Sequence, residues 1–509
     1  MQKTYTKNYL KIYIWQGISL ILNFLSMFVV IPYLTSQPTV YGIYSVCISF
    51  SIFLAYADLG FMGSGQKYAA EYFAKGDIEE EIKVIGFTNF ILLIFLALFS
   101  VSFFVLSQDP EILVKGINTV EQHNVASQLL LILAIFTPTT LLQRLLQMIF
   151  GIRMEDFIVQ RTNIVGNILK IISVLWYFRK GSYDIVGYFL FAQIVNFCAT
   201  LITLFIAQKR YNYDFKLLFS HTRFNKSVFD KTKALALTSL FITISWILYY
   251  ELDSVAIGKL LGANQVAIYA VGLSILSFFR SILGILFSPF NIRFNHFVGI
   301  GDEKALKSFY LQIVTIFAPI IVFPIIVIAL LSKSIVLTWV GNDYGASVEV
   351  VQLLIFCNIF AFVTYPTNAM LIAKERQNVL YLINSLLPII FWVGIILTIN
   401  NFGVKSFAIF KLVAFVISAF VMYRLMIAYL ELKIFESIKK IFFSMLIPVI
   451  TLVGSCLFIR NYLPQEKSKM NLLIVAFVMG IVIILSFIIQ FLVSQNFKGQ
   501  ILKTLGKQE

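Results

Sequence analysis

Fourteen apolar runs divide this chain, at 12–34, 41–65, 84–107, 125–151, 158–178, 185–207, 234–258, 265–291, 309–331, 348–372, 379–399, 404–428, 441–460 and 471–493. Each is close to the roughly 20 residues that an α-helix needs to cross the hydrocarbon core of a bilayer. Inside lipid every backbone N–H and C=O must be satisfied by the chain itself, which leaves helices or closed barrels. Barrel strands would be shorter and would alternate in polarity. The runs therefore predict an all-α polytopic membrane protein of about 14 transmembrane helices. Composition agrees: 59% of residues are hydrophobic and 13% charged, against about 45–50% and about 25% in soluble domains. A soluble globular protein, a disordered chain and a disulfide scaffold are excluded. The first run is longer than the apolar core of a secretory signal, about 7–15 residues, and is expected to be a permanent span.

The charge balance is +15, with 40 Lys and Arg against 25 Asp and Glu. In a soluble protein this would suggest a nucleic-acid partner. In a polytopic chain it reads as positive-inside bias, and no nucleic acid is expected. With span-end residues counted in the adjoining loop and the N-terminus placed inside, 27 basic residues fall inside and 9 outside. Both termini are therefore expected in the cytoplasm. The richest loop, Lys209 to Lys233, lies mid-chain and is expected to be a linker between two lobes. The cysteines Cys47, Cys198, Cys357 and Cys456 all sit in apolar runs and are expected to be small buried hydrophobes.

The two halves look repeated. At an offset of 225 residues, 43–77 aligns with 268–302 without gaps, pairing Ile43 with Ile268, Tyr44 with Tyr269, Gly76 with Gly301 and Asp77 with Asp302. A second echo pairs Arg153 with Lys374 and Asn163 with Asn384. Six spans per half make the repeats parallel, a plan that suits alternating access around a central cavity. The expected division is an N-lobe at 1–208, a basic linker at 209–233, a C-lobe at 234–433, and two additional spans with a tail at 434–509.

Ionisable residues inside spans are costly, about 2.5–3.5 kcal/mol each at the helix centre on insertion scales, and usually face a cavity or a partner. Arg144, Lys170, Arg280 and Lys411 are the candidate cationic cavity. Arg binds phosphate oxygens bidentately and Lys adds a point charge, so an anionic headgroup such as a pyrophosphate is the expected ligand. Structural ion pairs would explain the same residues, and Lys411 could snorkel to the headgroups. Asp58, Glu251 and Asp253 are candidate ion-coupling carboxylates. Asp58, followed by Gly60 and Gly63, reads equally as a helix cap, and Glu251 with Asp253 as a wet helix end. Gln143, Gln147, Gln160, Asn163 and Asn167 cluster around spans four and five. With Trp246 and Tyr249 they supply candidate sugar contacts. Prolines 138, 289, 319, 324, 366 and 388 are candidate kinks, although proline is common in membrane helices.

Walker A, GxGxxG, HExxH and CxxC patterns are absent, and three histidines stand in separate loops. No cofactor, metal site or catalytic constellation is expected. Asp109 and Glu111, in the longest outside loop, lack a base or metal partner.

The stretch Val40-Tyr41-Gly42-Ile43-Tyr44, then Asp58-Leu59-Gly60 and Gly76-Asp77, resembles the N-terminal signature of polysaccharide repeat-unit flippases. These are the O-antigen and capsule transporters of the multidrug/oligosaccharidyl-lipid/polysaccharide exporter superfamily. Asp253, Gly258 to Gly262 and Ile268-Tyr269 are similar to that family's passage from seventh to eighth span. The resemblance implies two six-helix lobes around a central cationic cavity. It implies transfer of a polyprenyl-pyrophosphate-linked oligosaccharide to the outer leaflet of a bacterial inner membrane, with proton or sodium entry as the driving step and Asp253 as a coupling residue. A polysaccharide polymerase and chain-length proteins would be its partners, besides membrane lipids. The lipid II branch carries basic residues in its first span; residues 12–34 hold none, which argues against peptidoglycan precursor. A cation-coupled exporter of small amphiphiles is the alternative, resting on Glu251 and Asp253. A polymerase or ligase is a third, resting on Asp109, Glu111 and His123.

Overall fold

The computed structural model describes residues 2–54, 56, 58–179, 181–431 and 443–504, and among them every regular element is helical. Among the described residues, eleven helices are long and apolar enough to cross a bilayer. Ser347–Phe356 and Ala361–Ala373, which meet at 45°, are together long and apolar enough for one more. Two shorter apolar helices, Pro38–Leu54 and Phe443–Ile459, occupy the remaining expected spans. The chain forms two compact units, Met1–Ala267 and Ile268–Glu509.

The first unit contains α1 (Gln2–Leu34), α2 (Pro38–Leu54), α3 (Phe61–Lys75), α4 (Ile78–Gln108), α5 (Val120–Ile152), α6 (Phe157–Tyr177) and α7 (Ile185–Tyr211). It continues through the short α8 (Phe215–Ser220), α9 (Lys226–Trp246) and α10 (Asp253–Leu261). Side-chain caps set several starts. Asp77 accepts the Glu80 N–H, Thr119 the Gln122 N–H, and Asp184 the Gly187 N–H, each satisfying a donor that the first helical turn leaves without a partner. The seventh span, expected to open the C-lobe, lies in this unit because α9 packs on α3 and α10 packs on α2. The region 209–233, expected to be a linker, is mostly helical, with α7 ending at Tyr211 and α9 starting at Lys226.

Two expected spans are not continuous helices. The run 41–65 stops at Leu54 and restarts at Phe61, across Leu59 (φ 48°) and Gly60 (φ 81°). Left-handed backbone is cheap for Gly and cannot continue a right-handed helix. Gly60 is also confined: a Cβ there would stand 2.5 Å from the Ala236 carbonyl oxygen of α9. The repeat explains what is special here. At the same offset, Leu283 and Ile285 replace Asp58 and Gly60, and α11 (Ala263–Gly299) runs through unbroken. The run 234–258 ends at Trp246, passes through a π-turn at Ile247–Glu251, and resumes as α10.

The repeat itself is visible in the element starts. Pro38 and Ala263, which open α2 and α11, are 225 apart, as are Ile78 and Glu303, which open α4 and α12 (Glu303–Trp339). Gly76 and Gly301 adopt φ 77° and 71°, and Asp302 caps α12 through the Ala305 N–H as Asp77 caps α4.

At the end of the first unit where α1 begins, here called the N-terminal face, Glu81 is fully buried against Arg153. One guanidinium nitrogen lies 2.8 Å from a carboxylate oxygen and the other donates at 3.2 Å. Arg153 also stacks over Phe73, Tyr211 and Tyr213, at 4.7, 4.9 and 5.3 Å from the ring centroids. Nearby, in the α5–α6 turn, Glu155 accepts two 2.6 Å bonds from Arg210 and one from the Tyr211 hydroxyl. Burial opposes the Glu155 charge, but Arg210, Tyr211 and Lys11 outweigh it and hold the carboxyl below the usual carboxylate range. At the opposite face the α4–α5 loop is zipped to the α10–α11 junction. Lys115 N–H donates to Gly258 and its carbonyl accepts from Ala263 N–H, at 3.0 and 3.1 Å. Thr39 donates to Asn264 at 2.7 Å. Gly42 permits this approach, since a Cβ there would lie 1.9 Å from the Ala263 carbonyl oxygen.

The second unit continues from α12 through α13 (Ser347–Phe356), α14 (Ala361–Ala373), α15 (Gln377–Phe402), α16 (Lys405–Tyr429), α17 (Leu446–Ile459), α18 (Lys469–Val493) and α19 (Gln495–Thr504). The additional spans, α17 and α18, pack on each other and on α12. The expected boundary at 433/434, Lys433, Lys439 and Lys440, and the first two residues of span thirteen lie outside the described residues. All six named prolines stand inside helices, and the 45° bend at 357–360 falls on none of them.

Candidate functional site

Four helices of the first unit turn polar stripes toward one another. On α6 the stripe is Gln160, Asn163, Asn167 and Lys170, spaced by three, four and three residues, the spacing that keeps side chains on one helical face. On α7 the stripe is Gln193, Asn196, Thr200 and Thr203, with the same spacing. Gln143 and Gln147 face them from α5, and Ser19 and Asn23 from α1. All of these residues except Gln193 line a cavity of about 340 Å³. A second cavity of about 230 Å³ shares Gln143, Gln147 and Asn196 with the first and adds Arg144, Gln193, Ser51, Thr137 and Thr140.

Hydrogen bonds order the walls. Lys170 donates to Asn167 at 3.3 Å, and Asn167 donates to Asn23 of α1 at 3.0 Å. Thr162 and Thr203 link α6 to α7 at 2.9 Å. Arg144 donates to Gln147 at 3.3 Å, and Asp58 and Tyr56 lie within its electrostatic reach. Lys170 is 13 residues from the start of α6, or about 20 Å along the axis of a helix long and apolar enough to cross a bilayer. Arg144 is eight residues, or about 12 Å, from the end of α5. Amide groups both donate and accept, as sugar hydroxyls do. With two cations at depth, the site can hold a polyhydroxylated, anionic headgroup.

The first unit brings four of the sequence-derived candidates together. Gln147, Asn163, Lys170 and Arg144 meet in the joined cavities. Trp246 and Tyr249 do not line them. Trp246 and Tyr250 pack with ring centroids 4.1 Å apart, and Tyr249 lies edge-on to Tyr250 at 4.7 Å, at the π-turn. Glu251 and Asp253 are buried, not a wet helix end. Asp253 opens α10, where the helix dipole favours a carboxylate, and accepts the Ser254 N–H at 3.0 Å. Asp58 accepts the Met62 N–H at 2.9 Å in the first turn of α3. Arg280 lies on α11 of the second unit, near Tyr365. Lys411 is completely buried on α16, its ammonium 5.3 Å from the Phe391 ring centroid, so it does not snorkel. Cys47, Cys357 and Cys456 are buried, but Cys198 is exposed, because it lies on the outward side of α7. Ser19, Asn23, Gln193, Asn196, Thr200 and Thr203 were missed by sequence reasoning; the α7 stripe repeats the α6 spacing and was the available signal. No group of three or more metal-ligating side chains occurs among the described residues.

No family model matches the chain, and no curated protein does. Solved structures do. A lipid II flippase, MurJ, in an inward closed conformation superposes with TM-score 0.68 at 13% identity, over 96% of this chain and 99% of that one. An inward-facing multidrug resistance MATE family transporter of the MOP superfamily gives 0.63 at 15% identity, over 82% and 99%. An outward-facing structure of such a transporter gives 0.53 at 14%, over 84% and 96%. The MATE chains are matched almost entirely yet leave about a sixth of this chain unmatched, the scale of an additional pair of helices. These neighbours are a flippase and transporters, and at this identity they speak for architecture. The chain is thus a multi-pass membrane protein with the fold shared by the lipid II flippase and the MATE transporters of the MOP superfamily.

Proposed function

We propose that this protein flips polyprenyl-pyrophosphate-linked oligosaccharide repeat units from the cytoplasmic to the outer leaflet by alternating access, for cell-surface polysaccharide synthesis. The observation that carries the reading is the pair of joined cavities, walled by amides and hydroxyls and holding Lys170 and Arg144. A site for small lipophilic cations would need negative charge on its lining; the charged lining residues here are the cations Lys170 and Arg144. The neutral stripes exchange hydrogen bonds with sugar hydroxyls, and the two cations balance phosphate charge. The first span contributes Ser19 and Asn23 rather than a cation, which sets the proposed substrate apart from the lipid II of the superposed flippase. The positive-inside bias supports a cytoplasmic N-terminal face in a bacterial inner membrane. Coupling to proton or sodium entry is assigned to the buried Asp253 and Glu251, with Asp58 positioning Arg144.

The test is the sidedness of lipid-linked glycan in cells lacking the protein, read with an impermeant glycosidase on spheroplasts. Cytoplasmic-side accumulation, rescued by wild type but not by Lys170→Gln, is the expected result. Single repeat units already on the outer side would move the block to polymerisation. No accumulation in a host that makes such a glycan would refute the flippase reading and favour export of small amphiphiles.

A further inference from the structure

A larger cavity, about 890 Å³, lies on the outward side of the α6–α7 pair. Its wall is apolar and open: Val165 is 59% exposed, Ile202 54%, Leu169 46% and Ile194 43%, with Cys198 among them. From Phe157 to Leu169 it follows α6 for about 18 Å, slightly more than half the roughly 30 Å hydrocarbon core. Three cations, Lys11, Arg161 and Arg210, line it toward the N-terminal face, where α6 begins and α7 ends. Arg210 is committed to Glu155. Lys11 lies within the electrostatic reach of Glu155, but among the described residues neither it nor Arg161 forms an ion pair, the Glu155 carboxylate being bound by Arg210. They are positioned instead by aromatic rings, Lys11 at 5.0 Å over Phe157 and Arg161 at 5.4 Å over Trp15. Stacking fixes a guanidinium while its in-plane N–H groups stay available to an anion. The groove backs onto the amide cavity, with Gly166 and Ala199 lining both.

We propose that the α6–α7 groove binds an anionic glycerophospholipid of the leaflet at the N-terminal face. Lys11 and Arg161 hold its phosphate, and an acyl chain lies along Val165, Leu169, Ile194 and Ile202. Charge complementarity at one end and a concave apolar wall of leaflet depth select this occupant. The site is separate from the proposed substrate cavity and does not depend on the flippase reading.

Cys198 provides the reporter, since it is exposed on the groove wall while Cys47, Cys357 and Cys456 are buried. Full-length protein in dodecyl maltoside would be reacted with pyrene maleimide, with Cys198→Ser as the blank. Phosphatidylglycerol is expected to slow labelling, and phosphatidylcholine at equal mole fraction to leave it unchanged. The Lys11→Gln/Arg161→Gln double variant should keep the lipid-free rate but need roughly 25-fold more phosphatidylglycerol, from about fivefold per cation. Arg161→Lys in the wild-type background, which keeps the charge, should retain protection. Equal protection by phosphatidylcholine, or undiminished protection of the double variant, would overturn the proposal. Protection by inorganic phosphate alone would reduce the site to an anion site. Stronger protection by polyprenyl phosphate than by phosphatidylglycerol would reassign the groove to an isoprenoid tail.

Discussion

Replacing Arg153 with Met should destabilise the first unit more than any other single change of charge at its N-terminal face. Glu81 is 0% exposed and Arg153 caps it at 2.8 Å, so the variant leaves a carboxylate in the interior without its counter-ion. Breaking a buried pair from one side costs about 3–5 kcal/mol. The lost stacking on Phe73, Tyr211 and Tyr213 adds to this. At roughly 2–4 °C per kcal/mol for a unit of this size, the apparent Tm falls by about 10 °C. The assay is thermal unfolding of purified protein in detergent, followed by tryptophan fluorescence and by loss of the monodisperse gel-filtration peak. The companion Glu81→Met/Arg153→Met variant removes both charges and should recover at least half of the loss, because the penalty lies in the stranded carboxylate. An Arg153→Met protein as stable as wild type, or a double variant no better than the single, would refute this account.

Lys170→Gln and Arg144→Gln should each lower flipping at least about tenfold, the scale of one charge-assisted phosphate contact, at unchanged protein abundance; unaltered flipping would remove those cations from the site. Asn167→Leu breaks the link from Lys170 to Asn23 and should lower flipping while leaving the thermal profile within about 2 °C. Gly42→Val has no room beside Ala263 and should destabilise by about 1–3 kcal/mol through overpacking, read as a lower Tm; an unchanged Tm would show that α2 yields freely. Glu155 titrates below the usual carboxylate range in the folded state. Its stabilisation is therefore complete above about pH 4.3, the unfolded value, and is lost as pH falls through the folded one. The stability gap between wild type and Glu155→Gln should be full at neutral pH and close as pH falls through the depressed folded value; a gap that grows on acidification would contradict the sign.

The stripe on α6 shows what could be read in advance. Gln160, Asn163, Asn167 and Lys170 share a face by spacing alone, and a polar face in an apolar helix has to find a cavity or a partner. The broken second span was not legible from hydropathy, which averages over Asp58-Leu59-Gly60 and cannot register a left-handed backbone. Asp58 and Asp253 looked alike as buried-charge candidates. Both prove to accept an N–H at a helix start, Asp58 in the first turn of α3 and Asp253, fully buried, at the opening of α10. Trp246 and Tyr249 carried the right chemistry for a sugar, but aromatic packing at a π-turn claimed them first.

The sequence by itself determined that the chain lives in a membrane, that it crosses it in helices, and that its halves repeat. Those conclusions follow from solvation: about 20 apolar residues have one favourable environment, and a Gly-Asp turn repeats its geometry wherever it occurs. Only the tertiary structure decided which polar residues meet. It set Ser19 and Asn196 on the wall of one cavity and Arg144 and Gln193 on that of another, linked Lys170 to Asn23 through Asn167, turned Cys198 outward, and buried Lys411. Periodicity fixes the face of a helix but not the neighbour that face will see. That choice belongs to packing among helices whose outer surfaces are equally content in lipid, so that small residues such as Gly42 and Gly166, and the hydrogen bonds across them, settle the arrangement.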